Sequence, residues 1–531
     1  MTPTTAAPLE GSERARPAVL PAHRPAAKEI ATSLVIGRGW SRRARPAALL
    51  SHDAHEARVR CSGALEPGTR VRVRLSVPSS FGPAYQKLTC ELPAVATKVR
   101  ARSKGCEAAL RWLRPLPELV ADAEARRRRR IGLLLLAVLL LTLGQRWSAL
   151  RYFWYDPVFE IYSVIIGLYF FSRFYFAAVH RPPEDKGYEP TVSVIISVRN
   201  EEDGIAEAIS SCFSAEYPDE KREVIVVDDG STDGTPREIA RMLALFPGLK
   251  SYRLPPQGKR FAMAEGIREA TGEIVVMVDS DTQLDRMALR QIVRGFEDPG
   301  LGAASGFTSA ANADKNMLTR MQDLRYLVSY ELMKAPESVF GCVSCCPGCL
   351  SAYRRAYLLP ILDTWLNQTF LGRRATFGDD RSLTNHILRD YRVIYNPLAL
   401  STTLVPENWM HYLRQQCRWK KSWVREFPIA GRILLRRHPV AALSFFASAV
   451  CSLVSPIMVI RYVWWGKSDL LQYYLLGMVF FGLLTGLFAL WRRPIRYWYL
   501  SWVWILTQTV FMGPQTYYAM LTLRRNHWGT R

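Results

Sequence analysis

Patterns typical of buried strands recur through the middle of the chain. Apolar runs rich in β-branched residues occupy 192–197, 223–227 and 273–278, as in strands covered on both faces. Amphipathic helical patterns lie between them, at 202–213 and 236–245. Strands that alternate with helices predict an α/β doubly wound sheet over residues 185–426. Ligands bind such sheets at the carboxyl ends of the strands.

Long apolar runs flank this block on both sides. A run of about 20 apolar residues is long enough to cross the hydrocarbon of a bilayer as a helix. Two helices are predicted within 131–180, and further apolar runs follow at 439–464, 470–491 and 497–521. Residues 427–437 mix apolar and basic positions, which predicts an interfacial helix.

The number of C-terminal crossings stays open at this stage. Three crossings from the inside would leave the end of the chain outside, whereas the basic residues 524–531 predict a cytosolic tail. The Gly513-Pro514 pair can split the last apolar run into two shorter elements, one of them tilted or re-entrant. The C-terminal membrane region is therefore given as residues 439–523, without a fixed count of helices.

The first 120 residues have a different character. Residues 1–30 are rich in Pro and Ala, lack the apolar core of a signal peptide and predict a disordered tail. Apolar and basic residues alternate at 71–75, as in a half-buried strand, and further strands are predicted at 94–100 and 106–111. These patterns predict a small β domain, built as a barrel, over residues 31–120.

The net charge of the chain is large, but its distribution does not indicate a nucleic-acid partner. The formal net charge of +23 would suit nucleic-acid binding. However, the arginines cluster beside apolar runs, at 126–130, 436–437 and 492–493. Such flanking arginines set membrane topology and contact anionic lipid, so no nucleic-acid partner is expected. Five arginines before the first run place the N-terminus and residues 185–426 in the cytosol.

Acidic residues stand where two of the predicted strands end. Asp228 and Asp229 follow one strand, and Asp279 and Asp281 follow another. The sequence 229–234 is also good turn chemistry, but turn formation alone does not account for both sites. Because side chains alternate in extended backbone, Asp279 and Asp281 are predicted to face one side, where they can hold Mg²⁺ or Mn²⁺ together with a nucleotide diphosphate.

Two later segments add the remaining chemistry of such a site. Asp380, in a Gly-Asp-Asp sequence, is predicted to be the general base that takes a proton from an attacking sugar hydroxyl. Arg418 offers a fork matched to phosphate oxygens, and Trp419 offers a face on which a sugar ring can stack. An Arg-Trp pair is ordinary on a helix surface, but here it falls with Gln415 just before a membrane run.

Four of the ten cysteines form a local Cys-x-x-Cys-Cys-x-x-Cys cluster at residues 342–349. Paired Cys-x-x-Cys sequences can bind zinc. The alternative is a tightly packed loop of small apolar residues. The second interpretation is favoured, because zinc-binding pairs are usually separated by a longer loop.

Taken together, these motifs resemble those of processive family-2 glycosyltransferases, and most of all hyaluronan synthases and the chitin and nodulation chitin-oligosaccharide synthases. The resemblance covers about residues 150–531 and rests on the segments 258–260, 278–282, 345–355, 377–385, 413–422 and 528–531. It implies a GT-A catalytic fold, inversion at the donor sugar and transfer of the polymer through the enzyme's own membrane helices.

The resemblance also implies roles for single residues. Asp228 and Asp229 resemble an acidic pair that binds uridine, and Lys259 resembles a donor-site lysine. Asp279 and Asp281 resemble the metal and diphosphate motif, and Asp380 resembles the base. Five further residues resemble an acceptor and diphosphate clamp and a tail that closes over the nucleotide: Gln415, Arg418, Trp419 and the terminal pair Trp528 and Arg531.

The chain departs from this pattern at Pro347-Gly348-Cys349, where hyaluronan synthases usually carry Ser-Gly-Pro, so the identity of the acceptor sugar stays open. The β domain weakly resembles a PilZ domain, the cyclic-di-GMP receptor module of bacteria. Its second motif is degenerate, because His55 and Arg58 stand at the expected Ser and Gly positions counted from Asp53. A barrel that does not bind cyclic-di-GMP is expected.

The sequence thus predicts a multi-pass synthase of the bacterial cytoplasmic (inner) membrane, which uses UDP-sugars, a growing β-linked polysaccharide acceptor and Mg²⁺ or Mn²⁺. UDP-GlcNAc and UDP-glucuronate would be the donors of a hyaluronan-type enzyme. UDP-GlcNAc alone would serve a chitin-type enzyme, and another glucuronate-containing capsular polymer is a further alternative. A non-processive lipid-linked sugar transferase is disfavoured, because it needs no channel, and a cyclic-di-GMP-responsive scaffold is disfavoured by the acidic site.

Overall fold

The computed structural model describes residues 30–36, 43–52, 55–62, 64–78, 87–102 and 105–524. The predicted tail 1–30 lies almost wholly outside these residues, as do Asp53, Trp528 and Arg531. The chain divides into two units, the first holding the N-terminal strands and the chain as far as Arg126, and the second holding most of the rest.

The first unit is a six-stranded antiparallel sheet. Its strands are β1 (Ile30–Ile36), β2 (Arg43–His52), β3 (Glu56–Cys61), β4 (Arg70–Pro78), β5 (Lys87–Arg102) and β6 (Gly105–Trp112). The order is β1-β2-β3-β6-β5-β4, and β1 also pairs with β4, which closes the sheet into a barrel. Alternate residues point inward, and Val59, Val73 and Leu110 are fully buried. Arg72 and Arg74 of the same strands are exposed. The likeness to PilZ stays a prediction.

The second unit contains a mixed eight-stranded sheet. Its strands are β7 (Val192–Val198), β8 (Arg222–Asp228), β9 (Leu249–Arg253), β10 (Ile274–Asp279), β11 (Thr282–Leu284), β12 (Leu301–Ala310), β13 (Ser351–Arg354) and β16 (Arg392–Thr403), and a separate hairpin joins β14 (Thr369–Phe370) to β15 (Arg373–Arg374). The order is β11-β16-β12-β13-β10-β7-β8-β9. The three predicted strands are present, parallel and adjacent as β10, β7 and β8. The sheet is not parallel throughout, because β13 and β11 run antiparallel to their neighbours.

Helices cover both faces of this sheet and continue beyond it. They are α1 (Leu116–Tyr152), α2 (Pro157–Val179), α3 (Ile205–Ser214), α4 (Thr235–Leu245), α5 (Lys259–Glu269), α6 (Ala288–Ile292), α7 (Met317–Val328), α8 (Ala335–Val339), α9 (Arg355–Leu358), α10 (Leu362–Leu366), α11 (Asp379–Leu388), α12 (Trp409–Arg437), α13 (Pro439–Trp464), α14 (Ser468–Arg492), α15 (Ser501–Leu506) and α16 (Pro514–Leu521). Within the described residues, four helices are long and apolar enough to cross a membrane: α1, α2, α13 and α14.

The predicted interfacial helix is wrong at its start. Instead of beginning at residue 427, it is the second half of α12, which runs unbroken from Trp409 to Arg437 with Pro428 inside it. Asn408 caps the helix, since its side chain accepts a hydrogen bond from the His411 backbone N–H at 3.0 Å. The segment that carries Gln415, Arg418 and Trp419 is therefore one continuous helix with the segment that leads to α13.

The last apolar run, predicted at 497–521, is broken, as the Gly513-Pro514 pair indicated. Short 3₁₀ and π turns surround α15, and α16 begins at Pro514. Gly513 packs so closely on Pro456 of α13 that a Cβ atom would collide with the proline ring. Both ends of the run lie against the sheet-bearing part of the unit. The Tyr497 hydroxyl donates to Asp323 at 2.6 Å, and the Arg373 guanidinium donates to the Arg524 carbonyl at 2.8 Å.

A buried ion-pair cluster joins the end of α14 to the eight-stranded sheet. Glu331 accepts hydrogen bonds from Arg493 Nε at 2.8 Å and from Arg492 Nε at 2.9 Å. The Tyr395 hydroxyl donates to the same carboxylate at 3.2 Å. Burial alone would raise the Glu331 pKa, but the two arginines outweigh it and lower that pKa to about 2. The stabilisation is therefore complete above about pH 4.5 and is lost as the pH falls toward 2.

We expect Glu331→Gln to lower the free energy of unfolding of the solubilised protein by about 3–5 kcal/mol, because it leaves the buried Arg493 and the half-buried Arg492 without their counter-charge. Thermal unfolding in detergent measures the loss. Glu407→Gln is the matched control, since Glu407 is 47% exposed and lies 3.9 Å from Lys315. Equal stability of the two variants would contradict the structural role of the cluster.

Candidate active site

The acidic pair at the end of β8 organises the loop that leads into α5. Asp228 is buried and accepts from the Ser231 backbone N–H at 2.9 Å, and its second oxygen lies 3.3 Å from Arg253 Nε. Asp229 accepts from the backbone N–H groups of Gln257 and Gly258 at 2.8 and 3.0 Å. Since α5 begins directly after this loop, Asp229 fixes the position of Lys259.

Lys259 and Asp279 form an ion pair between the start of α5 and the end of β10. Burial alone would lower the Lys259 pKa, but the charge and the hydrogen bond of Asp279 raise it above its ordinary value. Burial would raise the Asp279 pKa, yet Lys259, the Cys349 thiol and the charge of Arg418 together lower it. Both groups are therefore charged at neutral pH, and Arg418 lies within electrostatic range of Asp279.

Asp281 lies two residues beyond Asp279, between β10 and β11. The Thr403 hydroxyl of β16 donates to its Oδ1 at 3.0 Å. Carboxylate oxygens are the ligands that Mg²⁺ and Mn²⁺ prefer. Nevertheless, within the described ranges no three His, Cys, Asp or Glu side chains come together as a metal site. A cation held by Asp279 and Asp281 would therefore need further oxygen ligands from a bound diphosphate or from water.

Asp380 lies at the start of α11, next to Asp379, whose contacts are different. Asp379 is buried and accepts a hydrogen bond from Arg260 Nε at 2.8 Å. Asp380 is half-buried and accepts from the Arg381 backbone N–H at 2.8 Å, and the Cys345 thiol lies 3.7 Å from its Oδ2. The negative charges of Asp379 and Asp380 both reach Lys259. Of the two neighbours, Asp379 is committed to a buried ion pair with Arg260, whereas Asp380 is partly exposed.

Three predicted residues lie on one stretch of α12. Arg418 and Trp419 lie three and four residues after Gln415, so each of them is a neighbour of Gln415 on the helix surface. The Trp419 ring centroid lies 6.4 Å from that of Tyr326, and the Arg325 guanidinium carbon lies 5.1 Å from the Trp419 ring centroid. The indole is therefore held by α7.

Hydrogen bonds dock α12 onto α11 and its surroundings. The Glu426 carboxylate accepts from Gln368 Nε2 and from Asn385 Nδ2, each at 2.9 Å. Arg425 donates to the Phe377 carbonyl at 2.5 Å and to Glu426 at 2.8 Å. Because these contacts are largely buried, α11, which carries Asp380, and α12, which carries Arg418 and Trp419, are held in a fixed relation.

The cysteine cluster does not converge on one point. The Cys345 thiol faces Asp380 and the Cys349 thiol faces Asp279, whereas Cys346 is fully buried and its backbone N–H donates to Thr384 at 2.9 Å. The sequence pattern was interpreted for the four thiols as a group, either as a zinc site or as a tightly packed loop. Their contacts with two different carboxylates were missed, and no local sequence pattern indicates them.

Known proteins share this chain's motifs over most of its length. Residues 193–362 match the family described as glycosyl transferase family 2. The hyaluronan synthase of Streptococcus pyogenes is 30% identical over 383 residues, which cover 70% of this chain and 90% of that protein. The chain belongs to glycosyltransferase family 2. It is therefore a glycosyltransferase, as the motifs predicted.

Three further similarities complete the comparison of this glycosyltransferase. An N-acetylglucosaminyltransferase of Rhizobium meliloti is 33% identical over 58% of the chain and 76% of its own length, and one of Bradyrhizobium diazoefficiens is 38% identical over 46% and 51%. Among solved structures, a mannosyltransferase of Pyrobaculum calidifontis in complex with GDP-Man and Mn²⁺ has a TM-score of 0.46 and 24% identity, covering 68% of this chain and 99% of its own.

Proposed function

We propose that this glycosyltransferase is a processive polysaccharide synthase of the bacterial cytoplasmic membrane, built on a GT-A catalytic domain. It transfers sugars from UDP-sugars to a growing β-linked chain and passes that chain through its own helices. The observation that carries the proposal is α12, which bears Gln415, Arg418 and Trp419 at one end and leads directly into α13 at the other. A single helix thus joins the site of transfer to the membrane bundle.

The donor half of the site follows from the strand ends. Asp228 and Asp229 bind the uridine, and Lys259 lies at the donor with Asp279. Asp279 and Asp281 would hold Mg²⁺ or Mn²⁺, for which their oxygens are suitable ligands. When bound, such a cation neutralises charge on the leaving diphosphate. Arg418 provides a second positive group for the same oxygens, supported by its effect on the Asp279 pKa.

The acceptor half is formed by α11 and α12. Asp380 takes the proton from the attacking hydroxyl as the new glycosidic bond forms, and the bond from the donor sugar to the diphosphate breaks. Trp419 presents its ring to the acceptor sugar. Because α7 and α12 both hold this ring, the terminal sugar of the polymer is aligned with the base.

The contacts of the last apolar run support an even number of membrane crossings. The run begins near Asp323 and ends near Arg373, both of which belong to the catalytic side of the unit. With α1, α2, α13 and α14 as the crossings, the N-terminus, the catalytic domain and the tail all lie in the cytosol. This agrees with the positive charges that flank the runs.

We place a hyaluronan-type product first, made from UDP-GlcNAc and UDP-glucuronate, because the similarity to the streptococcal hyaluronan synthase covers nearly the whole of that protein. A chitin-type product from UDP-GlcNAc alone is the second candidate, favoured by the two N-acetylglucosaminyltransferases. The N-terminal barrel is structural or regulatory, and no cyclic-di-GMP binding is expected for it.

Sugar incorporation by the purified protein tests the proposal. The protein is incubated with radiolabelled UDP-GlcNAc and UDP-glucuronate, singly and together, and products are digested with hydrolases specific for each linkage. Polymer formed only from the pair supports the hyaluronan type, and polymer from UDP-GlcNAc alone supports the chitin type. Transfer of one sugar to a lipid without polymer would overturn processive synthesis.

Removal of the metal and of its ligand should have the same effect. We expect excess chelator to stop synthesis and Asp281→Asn to abolish it, because the diphosphate then leaves without its counter-charge. Incorporation is measured across a Mn²⁺ and Mg²⁺ titration. Asp219→Asn is the matched control, since the Asp219 side chain is 91% exposed and pairs only with Arg222 among the described ion pairs. Full activity in chelator would refute the metal requirement.

A further inference from the structure

The loop at residues 347–349, which departs from the family pattern, packs against Asp279 in the proposed binding site for the UDP-sugar. Cys349 Sγ donates to Asp279 Oδ2 at 3.3 Å. The preceding Gly348 packs so closely that a Cβ atom there would lie 2.6 Å from Asp279 Oδ1. The loop is fixed at its other side, where the Cys346 backbone N–H donates to Thr384 of α11. Its turn therefore has a defined position against the end of β10.

Asp279 consequently accepts a hydrogen bond from a different side chain on each of its two oxygens. Lys259 holds Oδ1 and Cys349 holds Oδ2, so the plane of the carboxylate is fixed from two sides. Asp281 is held differently, since Thr403 donates to its Oδ1. The two carboxylates of the Asp-Ser-Asp sequence thus have different hydrogen-bond partners, although the sequence pattern predicts them to act as a pair.

The residue on Oδ2 distinguishes this chain from the enzymes it resembles. Cys349 stands where hyaluronan synthases usually carry proline, and a proline side chain has no hydrogen-bond donor. A thiol is a weak donor, but it forms a stronger hydrogen bond with a charged carboxylate than with a neutral acceptor. The substitution therefore adds a contact to Asp279 that proline cannot provide.

We propose that Cys349 is a positioning residue of the donor site, which holds Asp279 against Lys259 and so fixes the carboxylate that, with Asp281, would hold the metal. The inference rests on the proposed function, because the donor is taken to be a UDP-sugar. It predicts an effect on the binding of the nucleotide part of the donor, not on proton transfer at Asp380.

Three substitutions at Cys349 test this role. Cys349→Ala and Cys349→Pro remove the hydrogen-bond donor, whereas Cys349→Ser replaces the thiol by a hydroxyl. We expect the first two to raise the KM for the UDP-sugar and the Kd for UDP about fivefold, the size of one modest hydrogen bond, with a smaller change in kcat. The serine variant should stay within about twofold of the unchanged protein. Kd is measured by calorimetry with UDP, with and without Mn²⁺.

Cys212→Ala is the matched control, because Cys212 is a buried thiol of α3 that belongs to the other side of the sheet core. It should leave KM and Kd unchanged. Unchanged KM and Kd in the alanine and proline variants would overturn the proposal, as would a loss of kcat with unchanged Kd. If the alanine variant does not fold, the difference between the proline and serine variants decides.

The two proposals fail in distinguishable ways. Absence of transfer from every UDP-sugar by the unchanged protein would refute the proposed function. A fully active synthase whose affinity for UDP does not depend on the Cys349 side chain would refute only the role of the thiol.

Discussion

Asp380→Asn is expected to lower the turnover of sugar transfer by about 10²–10⁴-fold while the Kd for UDP changes little. An amide cannot take the proton of the acceptor hydroxyl, so attack on the donor sugar loses its base. The residues proposed to contact the nucleotide lie at the ends of β8 and β10, which the substitution does not touch. Single-turnover incorporation and calorimetry with UDP measure the two effects separately.

The adjacent carboxylate makes this prediction sharper. Asp379 is paired with Arg260 in the interior, so Asp379→Asn should lower the yield of folded protein by leaving a buried guanidinium without its partner. Asp390→Asn, at an exposed position just after α11, should change neither turnover nor yield. Near-normal turnover of the Asp380 variant would mean that another group is the base.

Arg418→Ala is expected to lower turnover by about 10²–10³-fold, with a smaller loss of donor affinity. The charge of the guanidinium acts on Asp279. In the proposed mechanism it stabilises charge that develops on the departing diphosphate, so its contribution should be greatest in the transition state. Arg418→Lys should recover only part of the rate, because an ammonium group lacks the planar fork. kcat and the Kd for UDP are measured for each variant.

Arg414→Ala provides the matched control for Arg418, since it lies one turn earlier on α12 and is exposed. A loss of donor affinity as large as the loss of turnover would contradict a role specific to the transition state. The terminal Trp528 and Arg531 lie outside the described residues, and their role in closing over the nucleotide stays a prediction.

The parts of the fold that were predicted correctly have strong local patterns. β7, β8 and β10 are apolar and β-branched along their whole length, so the sequence identified them and the acidic residues that follow them. The antiparallel strands β11 and β13 are only three and four residues long. Their pairing is decided by neighbours far along the chain, which no local pattern encodes.

The errors in the membrane-proximal region have the same origin. Pro428 and the change in polarity near residue 427 indicate a boundary, but α12 continues through it. Just before the proline, Arg425 and Glu426 have buried partners in the Phe377 carbonyl and the Asn385 amide, which hold the helix in place. Similarly, the contacts of Cys349 with Asp279 and of Arg260 with Asp379 join residues at least 70 positions apart. The motifs therefore predicted candidate site residues, whereas the partners that hold these residues became visible only in the structure.

The continuity of α12 has a consequence for how such a protein can change over generations. Lys420 of this helix donates to the Met512 carbonyl, Gln508 donates to the Tyr412 hydroxyl at 2.8 Å, and Gln515 donates to the Leu413 carbonyl at 2.8 Å. A recombination event at residue 426 would exchange half of a helix and separate these partners. The sheet-bearing block and the helices that follow it are therefore expected to be inherited as one piece.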